Sequence, residues 1–210
     1  MYICRPNGWF MNETKEYILK TSLILFLQKS YRDVTMNEIV LKTGLSKGAF
    51  YHYFSSKEEL FKEIATMFLS MGGVEYSSFS NNSLKTFYCE YIDYLGSTFL
   101  EINKMVSDTD SKSSNFNFFL ILFEAVSRFP EFLEMELELH KKDIEAWKII
   151  ISTARANNEI QSKSSDEEIA NLFLFCTDGA FIRYINNDKH NTYKEFLLKA
   201  YDAIYENIRV

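Results

Sequence analysis

Thr35-Met36-Asn37-Glu38 and Ser56-Lys57-Glu58-Glu59 each set a hydroxyl residue three places before a glutamate, and Gly44 and Ser46 lie between the two. No other feature constrains the fold of this chain as strongly. In a capping box the hydroxyl accepts a hydrogen bond from the amide three residues on, while the glutamate reaches back to the cap, so each pair predicts a helix start. The first helix buries Ile39 and Val40, and Gly44 stands where a left-handed residue ends a helix. Ser46 caps a second short helix, Lys47–Phe54. The second box opens a long one through Leu60, Phe61, Ile64, Ala65 and Phe68 toward Met71. Two short helices across a glycine-containing turn have the layout of a helix-turn-helix.

Upstream, Ile18, Leu19, Leu23, Phe26 and Leu27 recur at three- and four-residue spacing, with Lys15, Glu16, Lys20, Gln28 and Lys29 mostly opposite, which predicts an amphipathic helix of about four turns. Residues 1–11 carry no such period and contain Arg5-Pro6-Asn7-Gly8. They read as a disordered extension, with either Met1 or Met11 as the initiating residue. Composition points the same way for the rest of the chain. Among 210 residues there are only 7 Gly and 2 Pro against 19 Phe and 13 Tyr, which suits long helices over an aromatic core and predicts an all-α protein. The three cysteines, Cys4, Cys89 and Cys176, have neither disulfide nor metal spacing, which favours a reducing cytoplasm. No apolar run approaches the ~18 residues that span a bilayer, so no membrane partner is expected.

The net charge of −6 is unevenly spread. Residues 1–71 hold nine Lys/Arg and seven Asp/Glu, 9 − 7 = +2; the remainder holds fourteen and twenty-two, 14 − 22 = −8. From Val40 to Lys57 there are Lys42, Lys47 and Lys57 and no acid. A local patch of this sign can meet an anionic partner on an otherwise acidic protein. A recognition helix entering a major groove ~12 Å wide needs a low profile at its leading turn and hydrogen-bond donors at its flanks. Gly48 and Ala49 meet the first requirement; Lys47, Tyr51, His52, Tyr53 and Lys57 meet the second. Phe50 and Phe54, four apart, face the core.

The stretch from Thr35 to Leu60, with Thr35, Gly44-Leu45-Ser46-Lys47-Gly48-Ala49-Phe50-Tyr51-His52-Tyr53-Phe54 and Lys57 to Leu60 at fixed offsets, resembles the DNA-binding domain of the tetracycline-repressor (TetR) family, and the likeness covers residues 12–70. Ser30 and Val40 depart from the family pattern, where Gly and Ala are usual. The resemblance implies a helix-turn-helix domain over 12–71 and a larger helical domain over 72–210 for effector binding and dimerisation. It implies double-stranded operator DNA as partner. The residues that fall on DNA-facing positions are Thr35, Ser46, Lys47, Gly48, Ala49, Tyr51, His52, Tyr53 and Lys57.

Beyond Asn82 five further helices are expected. Two capping boxes, Ser165–Glu168 and Thr192–Glu195, open the last two. Apolar residues cover nearly the whole circumference of both, which implies a second packing partner, most simply a second copy of the chain. Leu172, Phe173, Gly179, Ile182, Leu197, Tyr201 and Ile204 are the expected interface, and Asp178-Gly179 resembles a family feature at this place. The resemblance further implies a small-molecule pocket whose occupancy releases DNA. Phe87, Tyr91, Phe118, Phe119, Leu122, Phe123, Trp147 and Phe175 are its expected lining, for an apolar or cationic effector. The same aromatics at helical spacing also suit an ordinary core.

Catalysis finds no foothold. His52, His140 and His190 lack metal spacing with another ligand, no phosphate loop or nucleophile elbow is present, and neither cofactor nor metal is implied. The expected function is a dimeric repressor released by an effector; the alternative is a regulator, activator or repressor, that works without an effector or through a protein partner.

Overall fold

Apolar residues at helical spacing build α1 (Glu13–Gln28), which buries Ile18, Leu19, Leu23, Phe26 and Leu27 as the periodicity predicts, and Ile24 and Leu25 as well. In this computed structural model the protein is described over residues 13–71, 73–107, 118–184 and 190–210. The extension over 1–11, Gly72 and the polar stretch 108–114 lie outside the described residues. The remaining helices are α2 (Met36–Thr43), α3 (Lys47–Tyr53), α4 (Lys57–Met71), α5 (Leu84–Ser107), α6 (Phe118–Arg128), α7 (Pro130–Ala156), α8 (Asp166–Tyr184) and α9 (His190–Glu206), with a 3-10 turn at Tyr76–Ser78. Among the described residues the only extended pairing is one antiparallel bridge, Ile160 with Arg209, so the all-α expectation holds.

The chain forms two compact units. The first takes in the described residues up to Phe68 together with α6 up to Ala125; the second holds Leu69 onward and Val126 to the C-terminus. In the first, α1 packs on α2. Phe26, Phe50, Phe54 and Phe61 are fully buried, each worth roughly 1.5–3 kcal/mol against exposure. The Phe61 ring meets Phe26 edge-on at 5.0 Å and Tyr31 at 4.8 Å.

In the second unit α8 packs against α7 and α9, and α5 against α7 and α9. Trp147, Phe87, Tyr88, Phe173 and Tyr201 fill the middle. Trp147 stacks on Phe173 at 4.8 Å, and Tyr201 stands edge-on to both. Pro130 starts α7, where its missing N–H costs nothing. Ser165 and Glu168 form a full capping box: the Glu168 amide donates to Ser165 Oγ at 3.2 Å, and the Ser165 amide to Glu168 Oε2 at 2.7 Å. Thr192 is no cap, because α9 already runs from His190 and places Thr192 in its first turn.

Candidate nucleic-acid interface

Thr35 has extended backbone and accepts the Glu38 amide at 3.2 Å, which starts α2. Only half of the expected box forms there, since Glu38 turns its carboxylate to Lys29. Gly44 ends α2 at φ 68°. A Cβ at Gly44 would meet nothing within 4 Å, so the glycine answers the left-handed backbone and not crowding. Ser46 then accepts the Ala49 amide at 3.2 Å and starts α3. Ser56 caps α4 by accepting the Glu59 amide at 3.1 Å, but the Glu59 carboxylate reaches back to the Ser55 amide and hydroxyl, at 2.8 and 2.7 Å. Those two bonds hold the Glu59 carboxyl below its ordinary range.

These caps orient α3 so that Phe50 is buried, with Phe54 just beyond it, while Ser46, Lys47, Gly48, Ala49, Tyr51 and His52 are all exposed. Thr35 is exposed as well, and Tyr53 is half-buried with its ring edge-on to His52 at 5.3 Å. Gly48 meets nothing within 4 Å where a side chain would stand. Packing within the chain therefore does not require a glycine there. Leu41, 81% exposed, and Lys42 stand exposed near the end of α2. Sequence reasoning left both out of the site, although Lys42 was visible in the acid-free window.

Lys57 departs from the expected pattern. Its ammonium donates to the carbonyls of Tyr31 and Val34, each at 2.8 Å, and lies over the Tyr31 ring 4.4 Å from its centroid. The side chain fastens the segment between α1 and α2 to the start of α4, a role that sequence spacing does not reveal.

The residues expected to line an effector pocket divide. Phe87, Tyr91 and Trp147 come together in the second unit, with Trp147 edge-on to Phe87 at 5.1 Å and to Tyr91 at 5.3 Å. Phe175, 60% exposed, points away from that cluster. Leu122 is half-buried and Phe123 is 63% exposed, and both belong to the first unit. The side chains of Phe118 and Phe119 lie outside the described residues. Two residues missed by sequence reasoning complete the cluster: Tyr76 stacks on Phe87 and Tyr91 at 6.0 and 6.1 Å, and its hydroxyl donates to Asp143 Oδ1 at 2.9 Å. Burial pushes the Asp143 carboxyl up to about 6, against the lowering effect of the Tyr76 bond and of His140.

The expected interface residues also divide. Phe173, Leu197 and Tyr201 are completely buried within the chain, because α8 and α9 turn them onto Trp147 and Tyr88; they belong to the core and offer no face to a partner. Leu172 at 51% and Ile182 at 60% are exposed, with Phe175 and Gly179 between them on one face of α8. Ile204 is half-buried. Among the described residues no group of His, Cys, Asp or Glu could hold a metal ion, and no helix is long and apolar enough to cross a membrane.

Known proteins resemble this arrangement. The family model for bacterial regulatory proteins of the tetR family matches residues 18–64. The HTH-type transcriptional regulator YerO of Bacillus subtilis is 46% identical over 61 residues, which is 29% of this chain and 21% of that protein. The chain thus spans about a fifth of the length of the curated relatives it matches first. The negative transcriptional regulator IcaR of the Staphylococcus aureus biofilm operon icaADBC is 22% identical over 202 residues, covering 93% of this chain and 97% of that one. A TetR transcriptional regulator from Chloroflexus aurantiacus shares the fold at TM-score 0.67 and 18% identity, over 94% of this chain and 97% of that one. Together with the helix-turn-helix geometry, the match identifies residues 18–64 as a DNA-binding domain of the tetR family of bacterial regulatory proteins, and the likeness over nearly the whole chain is one of fold.

Proposed function

We propose that the protein is a transcriptional repressor that binds a near-palindromic DNA operator as a homodimer and is released by a small apolar or cationic effector. The observation that carries this reading is the exposed face of α3. Small residues, a lysine and hydroxyl donors stand outward on a helix whose packing within the chain leaves Gly48 unexplained. The likeness to IcaR over nearly the whole of both chains supports the repressor sign, since that protein is described as a negative regulator.

Lys47 and Ala49 are the base-reading residues in this proposal. Tyr51, His52 and Tyr53 contact the phosphate backbone from the flank of α3, and Thr35 and Ser46 do so beside the caps. Lys57 supports them through Tyr31 and Val34. The second copy packs on the exposed face of α8, where Leu172, Phe175 and Ile182 leave an apolar stripe with Gly179 in its middle. A Cβ at Gly179 would meet nothing within 4 Å, which suits close approach by another helix.

A gel shift with the DNA upstream of the protein's own and neighbouring genes tests the proposal. A complex whose footprint has two-fold symmetry, with half-sites ~34–36 Å apart or a multiple of that, supports it. Binding without symmetry overturns the dimer, and no binding to any such DNA overturns the repressor.

A further inference from the structure

We propose that Lys15, on α1, is a positioning residue for DNA reading: it holds the turn between α3 and α4, and through it the angle of α3, without touching the DNA itself. The inference rests on the reading of α3 as the DNA-facing helix. Lys15 is distant from that helix in the chain. Its ammonium nevertheless lies 2.8 Å from Glu63 Oε1 on α4, and over the Phe54 ring at 5.5 Å from the centroid. A cation over a ring face is attracted to it, so one side chain engages both the end of α3 and the body of α4.

α3 needs such support. It has seven residues and buries only Phe50 among them. A helix so short is not stable by itself, and one buried ring leaves it free to swing about that anchor. Phe54, completely buried at the C-cap, is the second anchor, and its amide closes α3 by donating to the Phe50 carbonyl at 3.2 Å. Only Ser55 and Ser56 stand between Phe54 and α4. Each residue of the turn is held: Phe54 by Lys15, Ser55 by the Glu59 carboxylate, and Ser56 by the Glu59 amide, whose hydrogen bond it accepts. The Lys15 charge also acts on Glu59, favouring the carboxylate to which Ser55 donates.

The side chains of Lys15 and Glu63 are 31% and 30% exposed. An ion pair at such exposure adds little to folding free energy. Orientation is more demanding. Base-reading hydrogen bonds fail beyond ~3.5 Å, and recognition groups have to be held within ~0.5 Å of their working geometry. Loss of Lys15 therefore shows in the preference for operator more than in the fold. Because Glu63 already meets its charge, Lys15 adds no phosphate contact, and the salt dependence of binding should not change.

Fluorescence anisotropy of the full chain reads the effect on two duplexes, one that the wild type selects from a random library and a scrambled duplex of the same composition. Lys15→Met should weaken binding to the selected duplex about three- to tenfold, leave the scrambled one within about twofold, and keep the slope of log affinity against log salt. Glu63→Gln should weaken binding to the selected duplex likewise, although it makes the protein more positive, and Lys15→Arg should keep the wild-type preference. Equal weakening on both duplexes overturns the proposal: with a lower slope Lys15 is a phosphate contact, and with an unchanged slope it only stabilises the fold. Stronger binding of Glu63→Gln to both duplexes overturns it too. Amide hydrogen exchange without DNA gives a second readout. In Lys15→Met, α3 and residues 54–56 should exchange severalfold faster while α2 does not. Exchange that rises equally in α2 and α3, or in neither, overturns the proposal. A wild type that selects no duplex overturns the DNA reading instead, and hydrogen exchange then decides whether Lys15 holds α3.

Discussion

The Lys57 ammonium donates to the Tyr31 carbonyl and covers the Tyr31 ring, so one side chain ties the start of α4 to the segment that leads into α2. Hydrogen bonds from a charged donor contribute more than neutral ones, roughly 1.5–3 kcal/mol each. Lys57→Ala is therefore expected to lower the unfolding free energy by about 1–3 kcal/mol, measured by urea titration. Weaker DNA binding should accompany that loss. Unchanged stability with weaker DNA binding would return Lys57 to a direct phosphate contact.

Gly48 separates folding from recognition. Its neighbourhood is open, and leucine is the better helix former, so Gly48→Leu should leave stability unchanged or raise it by up to about 1 kcal/mol. Operator binding should be lost, because the added side chain would stand where α3 is proposed to meet the groove. A gel shift beside a thermal melt reads both effects; retained binding places the DNA on another face.

Tyr51→Phe removes only a hydroxyl from an exposed position and should weaken binding to all sequences alike. The slope of log affinity against log salt changes little if that hydroxyl donates to a phosphate as a neutral group. Lys47→Ala should lower that slope by about one unit if the ammonium neutralises a phosphate. If Lys47 reads a base, the order of preferred operators changes as well. Competition binding across a small operator library distinguishes these outcomes.

For the dimer, the informative positions are the exposed ones. Phe175→Glu and Ile182→Glu should give folded monomers in sedimentation at micromolar protein, with helical circular dichroism intact. Phe173→Glu and Tyr201→Glu should instead unfold the second unit, since both side chains are completely buried and a lone charge there is costly. A wild type that sediments as monomer overturns the interface.

Two carboxylates give stability opposite pH dependences. Burial raises Glu159, but bonds from the Leu84 and Lys85 amides, Ser83 and Tyr205 outweigh it and bring its carboxyl below the ordinary 4.5. Its stabilisation is present above that value and lost as pH falls through the lowered one. Asp143, raised from 3.8 to about 6, binds its proton more tightly in the folded state, so stability falls as pH rises from about 4 to 6. Glu159→Gln should flatten the acid limb of a stability profile, and Asp143→Asn the fall between pH 4 and 6. Unchanged profiles would mean that other groups govern both limbs.

The helix-turn-helix was legible in the sequence because its determinants are local. Thr35, Ser46 and Ser56 cap helices within three residues of themselves, and Gly44 needs only its own φ to end α2. Phe50 faces inward and Tyr51 outward because adjacent residues on a helix differ by about 100°. The long helices followed from the same periodicity, and with them the fold class. Where a side chain meets residues distant in the chain, periodicity carries no information. Phe173 and Phe175 look alike in sequence, yet one is the floor of the core and the other stands in solvent. Tyr76 and Asp143 are separated by 67 positions and carry no shared motif, but the packing of the second unit brings them to 2.9 Å. Lys57 reads as a surface cation until Tyr31 and Val34 are seen beneath it. The sequence by itself determined the helices and which side of α3 faces outward, through backbone geometry and caps that act within one turn. Only the tertiary structure decided which apolar faces close on the core and which polar groups meet inside it, because those outcomes depend on contacts between distant parts of the chain.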